Sequence, residues 1–176
     1  MKYFIGKKFN SKIFQNKKDK LEQILLSIGI EKEDNELVIQ SKINEDICRN
    51  LISVPSIITK LSKYNTLFLE DDTQNIIGLL IFDINEKDSY IEIHYLCSMQ
   101  THKGNGKVLL DKIKEVAKHA NISQIILTPG PHVKVLQFYD DNGFHEDRLT
   151  MIYNIQGGNK TNKKNKTKKK NKTMNL

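Results

Sequence analysis

The sequence predicts a single α/β domain of the α+β kind, with a mixed, mostly antiparallel sheet flanked by helices. Three observations point there. Residues 66–69, 75–84 and 90–97 read as strands joined by tight turns, the pattern of an antiparallel meander. A glycine turn, Lys103-Gly-Asn-Gly106, then runs straight into an amphipathic helix. A further strand, Gln124–Thr128, follows that helix. A strand reached through a helix lies parallel to its neighbour, which makes the sheet mixed. At 176 residues the chain is long enough to bury a real core.

The elements follow in order. Residues 1–20 are rich in Lys and Asn and read as a loosely held leader with room for one short strand. Lys18 to Ile28 is helical, with Leu21, Ile24, Leu25 and Ile28 on one face. Glu31–Asn35 is a polar loop and Glu36–Gln40 a short strand. Asn44 caps a helix running to about Leu51. Pro55 opens another, with Ile57, Ile58 and Leu61 inward. The meander comes next, its first turn being the acidic Glu70-Asp-Asp72. In the helix after the glycine turn, Leu109, Ile113, Val116 and Ala120 share one stripe, and Asn121 closes it. Pro129-Gly-Pro131 starts a last helix, and residues 149–155 form a final strand. This divides the chain into a leader and helix (1–35), a folded domain (36–155) and a tail (156–176). The tail is Lys, Asn and Thr after Gly157-Gly158, cannot bury apolar area, and is expected to be disordered.

Charge is unevenly placed. Residues 156–176 carry eight lysines and no acids, and residues 1–20 carry seven lysines and one acid. Residues 21–155 are therefore net −7 within a chain of net +7. A folded face built for nucleic acid would be basic, and this one is not. The tail itself fits a weak, salt-sensitive contact with an anionic partner. Cys48 and Cys97 show no C-x-x-C spacing, so neither a disulfide framework nor a thiolate metal site is expected. The chain reads as intracellular, cytoplasmic and reduced. No apolar run approaches a membrane span and no secretory h-region is seen.

A glycine turn that opens a helix presents free backbone N–H groups at the positive end of the helix dipole, a place for phosphate. Lys103 and Lys107 add charge there. Gly104 and Gly106 also fit a plain turn. The spacing lacks the Lys-Ser/Thr of a P-loop and the third glycine of a dinucleotide fingerprint, where Leu109 stands. On the preceding strand, Glu92, His94 and Leu96 share one face, and Ile91, Ile93 and Tyr95 the other. Glu92 or His94 is placed to take a proton, or both are satisfied polar groups. Cys97 reads as a buried thiol, with a nucleophile paired to His94 as the lesser alternative.

Two motifs in this order resemble the GCN5-related N-acetyltransferases. Thr101-His-Lys-Gly104-Asn-Gly106 is similar to that family's Arg/Gln-x-x-Gly-x-Gly/Ala turn, with Thr101 replacing the first position. Phe138-Tyr139-Asp-Asp-Asn-Gly143-Phe144 is similar to its Phe-Tyr-x-x-x-Gly-Phe helix end. His132 stands where the family carries an asparagine. The resemblance covers roughly residues 36–155. It implies acetyl-CoA as acetyl donor, with its diphosphate on Lys103, Gly104, Asn105, Gly106 and Lys107. It implies that Leu96, Cys97 and Ser98 hold the pantetheine and acetyl carbonyl, and that His132 belongs to the cofactor site. Tyr139 would protonate the departing thiolate, and a neutral amine on a small molecule, peptide or protein would attack directly. Glu70-Asp-Asp72 would attract a cationic acceptor or serve only as a solvated turn. A domain that binds CoA without turnover, and a nucleic-acid adaptor working through the tail, are the alternatives.

Overall fold

A computed structural model describes residues 1–6, 15–43, 45–48, 52–99 and 104–155. The helices and strands are β1 (Lys2–Phe4), α1 (Gln15–Ser27), β2 (Glu31–Lys32), α2 (Glu36–Lys42), α3 (Val54–Lys63), β3 (Asn65–Glu70) and β4 (Ile76–Asn85). They continue with β5 (Tyr90–Ser98), α4 (Asn105–His119), β6 (Gln124–Leu127), α5 (Val133–Asp141), β7 (His145–Asp147) and β8 (Thr150–Asn154). A 3-10 turn spans Glu45–Cys48. The strands make one sheet in the order β2-β1-β3-β4-β5-β6-β8-β7. Among the described residues only β1–β2 and β5–β6 are parallel pairs. This is the mixed, mostly antiparallel sheet with flanking helices that the patterning predicts.

Alternation along the central strands feeds two cores, because successive side chains point to opposite faces. On one face Tyr3, Leu67, Leu80, Phe82, Ile91 and Ile93 pack with Leu21 and Leu25 of α1 and with Leu109, Ile113 and Val116 of α4. On the other, Phe4, Phe68, Leu79 and Ile81 pack with Ile39 of α2 and with Ile57 and Leu61 of α3. Cover on both faces explains why β4 is apolar almost throughout.

Three local expectations need correction. Residues 2–6 are core rather than leader: β1 lies between β2 and β3, and Tyr3 is fully buried. Three residues are too few to show a period, so only pairing reveals the strand. Residues 36–40 form a helix rather than a strand. Asn35 Oδ1 accepts from the N–H groups of Leu37 and Val38, at 3.0 and 3.4 Å, and this cap outweighs the strand propensity of Leu-Val-Ile. The polar loop at 31–35 contributes β2, and β7, not foreseen, forms a hairpin with β8. The predicted Asn44 cap and the tail at 156–176 lie outside the described residues.

Gly6 shows how tightly the first segment is held. A Cβ there would sit 2.5 Å from the carbonyl carbon and oxygen of Lys63 and from Tyr64 N, all backbone. Backbone at a helix end cannot step aside, so Gly6→Ala should cost about 1–3 kcal/mol of stability in urea unfolding. A midpoint equal to the parent's would return residues 2–6 to the status of a leader.

Candidate active site

β5 and β6 pair only over Tyr90–Ile93 and Gln124–Leu127. Beyond Leu127 the chain turns away at Pro129-Gly130-Pro131, whose prolines offer no N–H to a ladder. β5 continues to Ser98 paired with β4 on its other edge only. A bulge bends it: Ile81 faces Tyr95 and Phe82 faces Ile93, leaving His94 as the extra residue. The two strands part there, and a pocket of about 320 Å³ opens beyond the last β5–β6 pair, against the end of β5.

The bulge also corrects the facing of β5. Leu96 packs with Ile91 and Ile93, whereas Tyr95 packs with the α2–α3 side. One inserted residue reverses the parity of everything after it, and alternation counted along the sequence cannot register it.

Four segments wall the pocket. β5 contributes Leu96, Cys97 and Ser98, and the start of α4 contributes Gly104, Gly106 and Lys107. Lys134, Val135, Phe138 and Tyr139 come from α5, and Cys48 and Ile52 from the segment before α3. Gly104 is the N-cap of α4 in a left-handed conformation, φ 75°, and among the described residues no side chain caps the helix. The first N–H groups of α4 thus remain available to an anion. α5 starts beside the same pocket, so two helix N-termini and the ammonium groups of Lys107 and Lys134 make that rim positive. Lys107 also pairs with Asp111 at 2.9 Å.

Gly106 has a packing reason as well. A Cβ there would meet Phe138 Cζ at 3.2 Å, so the glycine lets α4 and α5 approach. Tyr139 is held edge-on by Phe138 and Phe144, with ring centroids 5.3 and 5.5 Å away. Burial pushes its phenol up to about 12. Tyr139 is only 7% exposed, so this is a stability effect with little screening. The unfolded phenol ionises near pH 10 and the folded one near 12. Stability from this group is whole below pH 10, falls between pH 10 and 12, and then levels, a loss of about 3 kcal/mol. Tyr139→Phe should remove that alkaline loss. Urea midpoints of parent and variant that fall in parallel from pH 9 to pH 11.5 would contradict it.

Several anticipated residues lie elsewhere. Glu92 and His94 do not wall the pocket. His94 Nδ1 lies 3.8 Å from Glu92 Oε1, and its ring stacks on Tyr64 at 4.1 Å, tilted 39°. Tyr64, not foreseen in the sequence, carries the ammonium groups of Lys60 and Lys63 about its ring, 5.1 and 5.0 Å from the centroid. His132 caps α5: its Nδ1 accepts from Lys134 N at 3.3 Å, and the side chain is exposed rather than in the pocket. Asn105 opens α4 without walling the pocket. Lys103 lies outside the described residues.

The acidic turn is used by the fold. Burial alone would raise the Glu70 carboxyl, but hydrogen bonds from Lys42 and Lys2, at 2.6 and 2.9 Å, outweigh it and hold it below the usual range. Asp71 Oδ1 accepts from Thr73 Oγ1, Thr73 N and Asn75 N and closes the turn.

The cysteines correct the sequence reading most sharply. Cys48 and Cys97 form a disulfide, with Cα atoms 4.9 Å apart across 49 residues of sequence. The 3-10 turn brings Cys48 against the end of β5, and no spacing rule foresees that. A Cys97 sulfur bonded to Cys48 is not a thiolate nucleophile. The bond also removes the ground on which a reducing compartment was expected.

No protein-family model matches the chain. Over 82 residues it is 40% identical to the uncharacterized protein YxbD of Bacillus subtilis strain 168, covering 46% of this chain and 50% of that protein. The chain thus spans about half the length of this relative. Among solved structures it resembles the ribosomal-protein-S18-alanine N-acetyltransferase of Escherichia coli, with TM-score 0.59 and 11% identity, over 73% of this chain and 94% of that one. It also resembles Tetrahymena GCN5, with TM-score 0.56 and 14% identity, over 68% and 86%. The chain has the fold of the GCN5-related N-acetyltransferases. Among the described residues, no helix is long and apolar enough to cross a membrane.

Proposed function

We propose that the protein is an N-acetyltransferase that moves an acetyl group from acetyl-CoA to an amine by direct attack. One observation carries this reading: the uncapped N-terminus of α4 and the buried phenol of Tyr139 open onto the same pocket, in the gap where β5 and β6 part. Acetyl-CoA supplies a thioester, whose acyl carbon an amine can attack. The N–H groups at the start of α4, with Lys107 and Lys134, hold the diphosphate. The edge of Leu96–Ser98 that β6 does not pair lies along the pantetheine and polarises the acetyl carbonyl. Tyr139 donates its proton toward the leaving sulfur.

Deprotonation of the amine falls to the Glu92–His94 pair. It sits on β5 just before the pocket, so the proton reaches it through water. The acceptor is a small-molecule amine or the amine of a peptide or protein.

The test follows acetyl-CoA consumption and acetylated product by mass spectrometry over a panel of amines, peptides and polyamines. Amine-dependent loss of acetyl-CoA is the expected result. Tight acetyl-CoA binding with no turnover across the whole panel would replace the enzyme by a carrier-binding domain.

A further inference from the structure

Acetyl transfer as described leaves one reactive bond of the pocket without a role. Cys97 stands on β5 between Leu96 and Ser98, and Cys48 ends the 3-10 turn that packs beside it. Their sulfurs are joined, and both residues wall the pocket. Only 6% of Cys48 and 4% of Cys97 is exposed. The pocket gives a reagent a route to this disulfide. The other walls select that reagent. Leu96, Ile52 and Val135 favour an apolar arm, while Lys107, Lys134 and the start of α4 favour an anion at its far end. A thiol on a long arm attached to phosphate has that shape.

We propose that the Cys48–Cys97 disulfide is a thiol–disulfide exchange site for the free thiol of CoA. This rests on the pocket accepting CoA, as in the reading above. The CoA thiolate attacks Cys97 Sγ and forms a new S–S bond. The Cys48–Cys97 bond breaks, its electron pair leaves on Cys48 Sγ, and that thiolate takes up the proton the CoA thiol gave away. No oxidant is needed beyond the protein's own disulfide. The products are a chain carrying CoA on Cys97 and a free Cys48 thiol. Attack by Cys48 reverses the reaction and releases CoA. Acetyl-CoA cannot react, because its sulfur is acylated. The covalent adduct fills the pocket, so the enzyme is held inactive when CoA accumulates relative to acetyl-CoA, and Cys48 restores it when CoA falls.

The experiment uses the full oxidised chain and intact-mass spectrometry without reductant. CoA, glutathione and acetyl-CoA are added separately at equal concentration. Calorimetry with desulfo-CoA, which lacks the sulfur, reports carrier binding alone. The expected result is one CoA per chain with one newly alkylatable thiol, formed at least about 10-fold faster than the glutathione adduct, and none from acetyl-CoA. Excess desulfo-CoA should slow the CoA adduct and leave the glutathione adduct unchanged. Desulfo-CoA binding without any CoA adduct overturns the exchange site and leaves the acetyl-transfer reading standing. Failure of desulfo-CoA to bind overturns both. Equal rates for CoA and glutathione mean undirected thiol chemistry and also overturn the proposal. So does a chain whose two thiols stay free after treatment with oxidised glutathione.

Discussion

Tyr139→Phe should lower turnover by about 10- to 100-fold while the acetyl-CoA dissociation constant stays within about 3-fold of the parent. The ring contacts with Phe138 and Phe144 survive the change, so packing and the pocket wall should be kept. Only the hydroxyl is lost. Its proton is firmly held, with the phenol pushed up to about 12 by burial. Full transfer to a thiolate of ordinary pKa near 8.5 is uphill by about 5 kcal/mol, although burial of the sulfur in the same pocket narrows that gap. The phenol therefore helps mostly as a hydrogen-bond donor while charge develops on sulfur. General acids contribute about 100- to 10,000-fold in general, and this balance puts Tyr139 at or below the low end. Single-turnover rates are the proper readout, since slow product release would mask the chemical step. Parental single-turnover rates in the variant would make Tyr139 a core residue and leave the leaving group without its donor.

Gly106→Glu should weaken acetyl-CoA binding by at least about 10-fold, or roughly 1.4 kcal/mol. Two effects act at this position, and a paired variant separates them. Any side chain here meets Phe138, whose ring carbon would be 3.2 Å from the new Cβ. Gly106→Ala carries that contact alone. The ring is a side chain and can shift by a few tenths of an ångström, so the alanine variant should stay folded with affinity near the parent's. The glutamate adds a negative charge at the rim where the α4 dipole and Lys107 would meet the diphosphate. The difference between the two variants in calorimetry is the charge effect. Equal affinity for the parent and both variants, each folded by thermal melting, would remove the phosphate site from the α4 turn. If alanine weakens binding as much as glutamate does, α4–α5 packing governs the pocket and the charge is irrelevant.

Much of the site's frame was legible because it is written locally. The stripe of Leu109, Ile113 and Val116 marks α4, and Pro129 and Pro131 mark where β6 must stop pairing. Gly104 and Gly106 at the head of that stripe place an uncapped helix start beside the end of β5. Phe138, Tyr139 and Phe144, at helical and turn spacing, put a buried phenol on the facing helix. Leu96, Cys97, Ser98, Gly104, Gly106, Lys107 and Tyr139 all meet in one pocket. Glu92 and His94 were read as sharing a face with Leu96, but strand alternation alone could not show the bulge at His94, nor that His94 stacks on Tyr64 away from the pocket wall. His132 carried a polar ring at a plausible position, yet helix capping claims its Nδ1.

By itself the sequence determined the alternation of β3 to β5, the parallel step through α4, the amphipathic helices and the glycine turn. These follow from backbone preferences and from the periods of 2 and 3.6, which act over a few neighbouring residues. Only the tertiary structure decided what depends on partners far along the chain. Pairing with β3 makes β1 a core strand, since a three-residue segment has no pattern of its own. One extra residue at His94 turns the later part of β5 over, a matter of register against β4. Folding of the 3-10 turn beneath β5 joins Cys48 to Cys97 across 49 residues and places a disulfide in the wall of the pocket. Bringing such residues together costs loop-closure entropy that no short segment can repay, so the packed core must supply it.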